Sequence, residues 1–558
     1  TAMDLMALAA ADDRPTQWLK LEDGDTDCLV GVKDPNLEHS LRFGIGLHHA
    51  GLCDGDKAIV ERLFLECKIQ VLITTATLAW GVNLPAHLVV VKGTEFYDPK
   101  TKRYVDFCIT DLLQMIGRAG RPQFDTDAVA CILAHEPKKS FFKRFLHEPF
   151  PIESQLPEVL HEHLNAEIVS GTIASKADAI DYMTWTFFFR RLMANPSFYH
   201  LEDTKPEVVA DFLDNLVERT LFDLQDAMCI SIDVDENWAI EPLTLGRVAS
   251  FYYLSHGTVR TFAEQLDDDN DIETLLKVLC AVKEYEELPV RHNEELLNAE
   301  LAEKCRWRVP ASTMDSPHTK ANLLLQAHFG HVPLPISDYT TDLKSVLDQA
   351  VRILQAMVDC AADAGWLQTT LNITTLIQMV YQGLWYDDSA LSTLPRVNAS
   401  TAKALNKAGV ATLADATIIP PRRLSRLLGS RMQDTHVGDA LRVVQRLPVI
   451  NVSAKLGQGK DGPSLRVGLS RENKQPSRRA HTPRYPKPKD EGWWLVLGIQ
   501  ETGELLSLRR VTFSESTNVD LAFEIEPETP RPTVLTLYLI ADCYLGLDQQ
   551  YDITMPDQ

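Results

Sequence analysis

The spacing of apolar residues changes along the chain, and no single fold accommodates all of its patterns. In the first quarter, short apolar runs at 71–75, 87–92 and 128–133 alternate with helical stretches. Over 246–395 apolar residues recur every three to four positions, and after about residue 447 they alternate with polar ones. These periods are typical of a parallel α/β sheet, a helical bundle and an antiparallel sheet. The sequence therefore predicts a multidomain chain that combines α/β, α and β parts.

Five domains follow from these patterns. They are an α/β domain at 1–136, a winged helix at 137–245, a helical bundle at 246–395, a helix-hairpin-helix at 396–446 and a β-sandwich at 447–558. A helix over 178–193 followed by two short strands indicates the winged helix, and Leu-Asn-Lys-Ala-Gly-Val at 405–410 is typical of the helix-hairpin-helix turn. We also expect helices over 1–19 and 341–364, the second stopped by Gly365.

Acidic residues outnumber basic residues by 78 to 55, which gives a formal net charge of −23 at pH 7. Such a charge repels polyanions, so any nucleic-acid contact must come from local basic strips. The ten cysteines include no Cys-x-x-Cys pair, which indicates reduced thiols in a cytosolic or nuclear protein. No run approaches the ~18 apolar residues of a membrane span, and we expect no membrane partner.

Two arginines, Arg118 and Arg121, stand among glycines in Gln-Met-Ile-Gly-Arg-Ala-Gly-Arg-Pro at 114–122, which we call the arginine motif. At this spacing both guanidinium groups can face one side of a turn. Their fixed charge then suits a phosphoryl group during transfer. A chance pair of exposed arginines explains the spacing equally well.

Two further motifs precede the arginine motif. Thr-Thr-Ala-Thr-Leu-Ala-Trp-Gly-Val-Asn-Leu-Pro-Ala at 74–86 follows an apolar strand, and its hydroxyls and glycine can approach phosphates, although ordinary strand-exit chemistry is the alternative. Gly-Ile-Gly-Leu-His-His-Ala-Gly-Leu at 44–52 contains His48 and His49. No third ligand stands at metal-binding spacing, so we predict no metal site.

In this order the three motifs resemble the second RecA-like domain of superfamily-two helicases, specifically the Ski-two-like group. Stretches such as Pro-Val-Arg-His-Asn-Glu at 289–294 and Asp-Ser-Pro-His-Thr-Lys at 315–320 resemble the winged-helix and Sec-type units of double-cassette helicases. Both arginines are present, so the chain resembles the cointegrator-complex type more than the spliceosomal type, whose second cassette carries a degenerate arginine motif. The resemblance implies a partial RecA-like sheet without its first strand and a sandwich of fibronectin or immunoglobulin type.

The resemblance also implies a role for each matching residue. At the nucleotide, the implied residues are Arg118, Arg121 and Gln114 as catalytic groups, and Gly81 and Asn83 as cofactor-binding groups. At the nucleic-acid backbone, they are Thr75 and Thr77.

Between these motifs, residues 93–106 form two β-prone flanks around a Pro-Lys turn. The resemblance makes this segment the hairpin that wedges a duplex apart. An aromatic side chain such as Tyr97 or Tyr104 would stack on the last base pair, with Lys102 and Arg103 near phosphates. A surface hairpin with a buried aromatic is the alternative.

The predicted helix over 341–364 is apolar on one face, and Ser345, Gln349, Arg352 and Asp359 form a polar stripe on another. The resemblance implies a ratchet helix that tracks a single strand, with the first three residues of the stripe as nucleic-acid contacts. A solvated face is the alternative.

Other aromatic and basic runs carry weaker signals. The bands at 185–189 and 251–254 are predicted to lie in the core rather than to form base-stacking platforms. The proline-rich basic segment at 471–489 is expected to loop out, where it contacts RNA, a ribosome or an acidic partner, or is simply solvated.

The sequence contains no Gly-x-x-x-x-Gly-Lys-Ser/Thr phosphate loop and no Asp-Glu box after a strand. Compared with the family, the chain starts inside the second RecA-like domain. The resemblance therefore implies ATP and Mg²⁺ as cofactors of the intact cassette, with most of their ligands outside this chain, and no hydrolysis by this chain alone. The implied partners are single-stranded or duplex nucleic acid, the missing first RecA domain and N-terminal cassette, the protein subunits of a cointegrator-type complex, and a ribosome.

The implied function is that of an ATP-dependent 3′-to-5′ helicase that acts in alkylation-damage repair or ribosome quality control, in the nucleus and cytosol. The alternative is a non-hydrolysing interaction cassette that regulates another helicase.

Overall fold

A computed structural model describes residues 1–20, 31–49, 51–75, 84–98, 101, 103–121, 125–147, 152–235, 238–291, 293–458, 462–473, 478–524 and 534–555. The chain divides into two compact units. The first contains residues 1–152 and 335–342, and the second contains residues 153–334 and 343–558. The five predicted domain boundaries stay predictions.

The first unit is an α/β unit. Its described strands are β1 (Ile45–His48), β2 (Val71–Thr74), β3 (Leu88–Val91), β4 (Glu95–Asp98), β5 (Arg103–Asp106) and β6 (Val129–Ile132). Its helices are α1 (Ala2–Ala11), α2 (Pro35–Leu41), α3 (Asp54–Leu65), α4 (Ile109–Ile116) and α5 (Lys139–His147). Strands β1 and β2 pair in parallel, as do β3 and β6, whereas β4 and β5 form an antiparallel hairpin. The three apolar runs predicted as strands are β2, β3 and β6, which confirms the parallel α/β pattern.

Two details of this unit differ from the sequence-based expectations. The helix expected over 1–19 ends at Ala11, because Asp13 has a left-handed φ of 55° and Pro15 lacks an amide hydrogen. The pattern does not indicate β1, since two glycines interrupt its apolar run. Gly46 is required there, because a Cβ atom would lie 2.8 Å from the Cδ1 atom of Ile69.

The second unit begins with the winged-helix region. Its elements are α6 (Leu160–Ser170), α7 (Lys176–Thr184), α8 (Phe187–Ala194), α9 (Pro206–Asp226), β7 (Ile230–Asp233) and β8 (Ala239–Pro242). The antiparallel β7–β8 hairpin confirms the two predicted strands. The single helix expected over 178–193 is two helices, because the Thr186 side chain accepts a hydrogen bond from the Phe189 amide and starts a new helix.

Helices fill the middle of the second unit, and the longest of them begins with residues 337–342, which belong to the first unit. They are α10 (Thr244–Tyr252), α11 (His256–Gln265), α12 (Ile272–Ala281), α13 (Glu294–Ala302), α14 (Pro317–Gly330), α15 (Ser337–Asp363), α16 (Leu367–Gln382), α17 (Ala399–Lys407), α18 (Leu413–Ile418), α19 (Pro421–Gly429) and α20 (Asp434–Arg446). Helix α15 has 27 residues and ends before Gly365, whose φ of 77° favours glycine. The predicted long helix is thus confirmed.

Two antiparallel sheets complete the second unit. Their strands are β9 (Ile450–Gln458), β10 (Pro463–Arg471), β11 (Trp493–Ile499), β12 (Glu504–Val511), β13 (Ser516–Ala522), β14 (Val534–Ala541) and β15 (Gln549–Thr554), in the orders β13-β10-β9 and β12-β11-β14-β15. Helix α16 is tied to this region, since the side-chain amides of Gln378 and Gln382 donate to the carbonyls of Ala541 and Cys543. The fibronectin or immunoglobulin type stays a prediction.

The expectation that residues 471–489 loop out is confirmed in part. The described residues 478–489 form no helix or named strand, and Arg478, Arg479 and Lys487 are exposed. The two ends of the segment are anchored, since Arg471 and Glu491 form a buried ion pair at 2.5 Å and Lys489 contacts Asp542 at 2.5 Å. Arg484 donates to the carbonyl of Gly383. Residues 474–477 lie outside the described part of the chain.

Among the described helices, none is both long enough and apolar enough to cross a lipid bilayer.

Candidate nucleic-acid interface

The arginine motif is positioned by α4 and by a short backbone ladder. Helix α4 ends at Ile116, and the chain then runs beside Ala86. The Ala86 amide donates to the carbonyl of Arg118 at 3.0 Å, and the Gly120 amide donates to the carbonyl of Ala86 at 2.8 Å. The end of the 74–86 motif and the arginine motif are therefore neighbours.

Arg121 is held by a carboxylate. Its Nε and Nη2 atoms each donate to one oxygen of Asp125 at 2.9 Å, and its side chain is 32 % exposed. These hydrogen bonds from Arg121 hold the pKa of the Asp125 carboxyl at about 2. Arg118 is half-buried and Gln114 is exposed. The structure brings the three predicted catalytic residues into one segment, and a phosphate that binds Arg121 must share it with Asp125 or displace Asp125.

Several predicted site residues lie outside the described part of the chain. They are Gly81 and Asn83 at the nucleotide, and Thr77, Lys102 and the side chain of Tyr97 at the nucleic acid. Thr75 is described and exposed, and its amide donates to the carbonyl of His48. His48 itself is 8 % exposed and lies 2.9 Å from Glu61 through its Nε2 atom, so it is a buried histidine with a carboxylate partner.

The predicted hairpin consists of β4 and β5. Tyr104 is 68 % exposed on β5, and Arg103 is also exposed. At the base of the hairpin, Lys138 contacts both Glu95 and Asp106 at 2.5 Å, one from each strand. The two ion pairs of Lys138 hold the strands of the hairpin together, and the exposed ring of Tyr104 is accessible for stacking on a nucleobase. The role of the hairpin as a wedge stays a prediction.

The polar stripe predicted on the long helix is present on α15. Ser345 is exposed, whereas Gln349, Arg352 and Asp359 are half-buried. The apolar face of this part of the helix is enclosed, with Val346, Leu347, Leu354, Met357 and Val358 each at most 2 % exposed. Asp348, between them, is exposed and pairs with Lys487. We call Ser345, Gln349, Arg352 and Asp359 the α15 stripe.

Hydrogen bonds fix part of the α15 stripe in place. Arg352 donates to the carbonyl of Tyr253 at 3.0 Å and to the side-chain oxygen of Gln349. Asp359 accepts hydrogen bonds from the Tyr252 hydroxyl at 2.6 Å and from Arg510 at 2.8 Å. The cleft beside Asp359 has a volume of about 450 Å³. These hydrogen bonds tie α15 to α10 and to β12 and hold the side chains of the stripe in place, and the role of the stripe stays a prediction.

The aromatic bands differ from their predicted burial. Trp185 is 83 % exposed, and Phe251 and Tyr253 are 72 % and 85 % exposed, whereas Phe188 and Tyr252 are buried. The prediction of core positions is therefore wrong for Trp185, Phe187, Phe251 and Tyr253 and is confirmed for Phe188, Tyr252 and Leu254. Helix geometry could have shown this, because successive side chains on a helix diverge by about 100° and cannot all face one core.

A histidine–carboxylate cluster lies between α6 and α11. The candidate ligand atoms of His161, Glu162 and His256 lie within 4.8 Å of one another. The two imidazole rings, however, are stacked with centroids 4.3 Å apart and an interplanar angle of 20°. Nearly parallel rings do not direct their lone pairs at one point, and each histidine already has a carboxylate partner, Asp223 or Glu162. The arrangement therefore indicates two hydrogen-bonded histidine–carboxylate pairs rather than a metal site.

Comparison with protein families identifies three consecutive parts of the chain. Residues 28–123 match the helicase conserved C-terminal domain, residues 153–234 match a winged helix-turn-helix domain, and residues 242–554 match the Sec63 Brl domain. The last match covers more than half of the chain. The chain therefore belongs to the Sec63 Brl family, and the three domains in this order define the C-terminal cassette of a Ski-two-like helicase.

Individual relatives agree with this assignment. The chain is 49 % identical to the DExH-box ATP-dependent RNA helicase DExH14 of Arabidopsis thaliana, over 99 % of the chain and 26 % of the relative. It is 47 % identical to activating signal cointegrator 1 complex subunit 3 of Gallus gallus and 46 % identical to that of Homo sapiens, over 99 % of the chain and 27 % and 28 % of these relatives. The resemblance to the cointegrator-complex type is confirmed. The chain spans about a quarter of the length of these relatives.

Proposed function

We propose that this chain is the C-terminal part of an ATP-dependent 3′-to-5′ nucleic-acid helicase and that the α15 stripe contacts a single strand. The observation that carries this proposal is the α15 stripe itself, whose Arg352 and Asp359 are held by hydrogen bonds beside an enclosed apolar face. Polar contacts of this kind suit tracking, because they hold phosphate and sugar without reading base edges.

Charge restricts the places where a strand can bind. The chain carries a net charge of −23, so its overall field does not attract nucleic acid. Arg352 is a local cation on the α15 stripe, and it is half-exposed while fixed by the carbonyl of Tyr253. Binding that depends on such local cations weakens as salt rises.

The nucleotide side of the proposal rests on the arginine motif. Two guanidinium groups at one turn fit the charge on transferring phosphate, and Arg118 and Arg121 would face ATP with Gln114 beside them. Most ligands for ATP and Mg²⁺ would come from a first RecA domain. This chain alone is then expected not to hydrolyse ATP.

The proposed substrates and partners follow from the family. They are single-stranded or duplex DNA or RNA, the subunits of a cointegrator-type complex and a ribosome, met in the nucleus and cytosol during alkylation-damage repair or ribosome quality control.

The first experiment measures binding of this chain to a fluorescein-labelled 20-nucleotide single strand by fluorescence anisotropy. Arg352→Gln is expected to weaken binding several-fold and to reduce its salt dependence. Arg260→Gln is the matched control, because Arg260 is also an arginine of the second unit and pairs with Glu264 on an exposed helix face. Equal effects of the two substitutions would contradict the proposed strand path.

The second experiment tests the motor. In a longer protein that includes the first RecA domain, strand-stimulated phosphate release is expected to be lost in Arg121→Ala. Binding of the strand with no turnover in the unsubstituted longer protein would instead support the non-hydrolysing interaction cassette.

A further inference from the structure

Residues 251–253 are three consecutive aromatic residues at the C-terminal end of α10, and only the middle one is buried. Tyr252 is 6 % exposed, its hydroxyl donates to Asp359, and the Arg510 guanidinium lies 5.6 Å from its ring centroid. Phe251 and Tyr253 are 72 % and 85 % exposed. The buried tyrosine therefore fixes this segment against α15 while its two neighbours present their rings to solvent.

Tyr253 occupies a position at which folding favours glycine. It caps α10 with φ 52° and ψ 49°, in the left-handed region. A tyrosine is disfavoured in this conformation relative to glycine, and a side chain that is 85 % exposed regains little through burial. The stability of the fold therefore does not account for a large aromatic side chain here.

The neighbourhood of Tyr253 has the chemistry of a single-strand site. Arg352 of the α15 stripe donates to the Tyr253 carbonyl at 3.0 Å, so a guanidinium group contacts the backbone of the residue that carries the exposed ring. Proteins that bind single strands without sequence preference combine aromatic rings, on which bases stack, with cations near the phosphates. Every base has a π-face, so such a contact tolerates any sequence.

We propose that Tyr253 is a base-stacking residue of the α15 interface. One nucleobase of a single strand lies on the exposed ring of Tyr253, the adjacent phosphate contacts Arg352, and Phe251 offers a second ring to a neighbouring base. This inference rests on the proposed function, because it takes the α15 stripe as the path of the strand.

The test uses Tyr253→Gly, for which stacking and a structural role predict opposite results. If the ring serves stacking, affinity for a fluorescein-labelled 20-nucleotide oligodeoxythymidylate falls about tenfold. The thermal unfolding midpoint stays the same or rises, because glycine suits the left-handed backbone. A lower midpoint with unchanged affinity would overturn the proposal. Tyr253→Trp is expected to keep the affinity within about twofold, since a larger ring still stacks.

Two controls make the test specific. His200→Gly replaces another exposed, left-handed, non-glycine residue of the same unit, with φ 63°, and is expected to leave strand affinity unchanged. An abasic strand of the same length is expected to bind the unsubstituted chain and Tyr253→Gly equally, because it has no base to stack. A tenfold difference that persists on the abasic strand would overturn base stacking.

The outcomes also separate this inference from the proposed function. Weaker binding in Arg352→Gln with full affinity in Tyr253→Gly would refute the stacking role alone. No single-strand binding by the unsubstituted chain would refute the strand path, and the stacking role with it.

Discussion

The ion pair between Lys320 and Glu294 gives a prediction whose magnitude follows from the structure. The two side chains are 0 % and 3 % exposed, and the Lys320 ammonium lies 2.6 Å from Glu294 Oε2 and 2.6 Å from the carbonyl oxygen of Pro289. Lys320→Met keeps the aliphatic volume and removes the charge. The carbonyl then loses a donor, and a buried carboxylate loses one of its cations.

Breaking a buried ion pair by removing one partner costs roughly 3–5 kcal/mol. Arg291 still contacts Glu294 at 2.8 Å, which places the expected cost near the lower end, at about 3 kcal/mol. If α14 opens as part of the same cooperative unit, its amides should exchange about 100-fold faster. Hydrogen–deuterium exchange with mass spectrometry of α14 peptides measures this directly.

Lys277→Met is the matched control. Lys277 pairs with Glu273 one helical turn away on α12, with its side chain 59 % exposed, and an exposed pair contributes at most about 1 kcal/mol. Adding Glu294→Leu to Lys320→Met should slow exchange again, because no unpaired buried charge remains. An effect of Lys320→Met no larger than that of Lys277→Met would refute the reasoning.

Three further predictions concern separate features. Asp125→Asn should speed the modification of Arg121 by phenylglyoxal, measured by peptide mass spectrometry, because the guanidinium loses its charged acceptor; an unchanged rate would contradict the pairing. Burial raises the pKa of Asp548 to about 6 from an ordinary value near 3.8, so its charge should cost roughly 3 kcal/mol above pH 6. The contribution of Asp548 to stability is present below pH 4 and is lost between pH 4 and 6. The denaturation midpoint of the unsubstituted chain should therefore fall relative to that of Asp548→Asn across this range. Parallel pH profiles of the two proteins would contradict the prediction. Gly246→Ala should destabilise the chain by about 1–3 kcal/mol, because the added Cβ atom would lie 2.1 Å from a backbone carbonyl oxygen. The control Gly438→Ala, whose Cβ atom would have no neighbour within 4 Å, should stabilise α20 by up to about 1 kcal/mol. Thermal unfolding measures both changes.

The sequence was sufficient for elements whose local pattern and packing agree. Helix α15 combines an unbroken helical period with a glycine stop at Gly365, and its C-terminal end and polar stripe are as predicted, although it begins four residues earlier, at Ser337. Strand β1 was not predictable, because Gly44 and Gly46 hide its apolar run and are required by neighbours that only the tertiary structure supplies. The ion pairs that anchor the 471–489 segment were missed for the same reason, since partners such as Asp542 are remote in sequence.

The candidate site also has features that the sequence predicts and features that depend on the tertiary structure. The spacing of Arg118 and Arg121 predicts that they act together, but it does not show that Asp125 binds Arg121 through both carboxylate oxygens. Composition alone assigned Tyr253 to the core. The exposure of its ring depends on a helix that ends at Tyr252, and the local apolar pattern does not mark that end.

The hydrogen bonds of α16 affect how this chain is made. Gln378 and Gln382 donate to carbonyls of residues 541 and 543, and these partners follow 163 and 161 positions later in the chain. A ribosome that adds about 5–20 residues per second supplies these acceptors roughly 10–30 s after the helix itself. During that interval both amides must remain hydrated, so the nascent helical region cannot close into its dry final packing. Completion of its interior must therefore wait for the last strands to be synthesised.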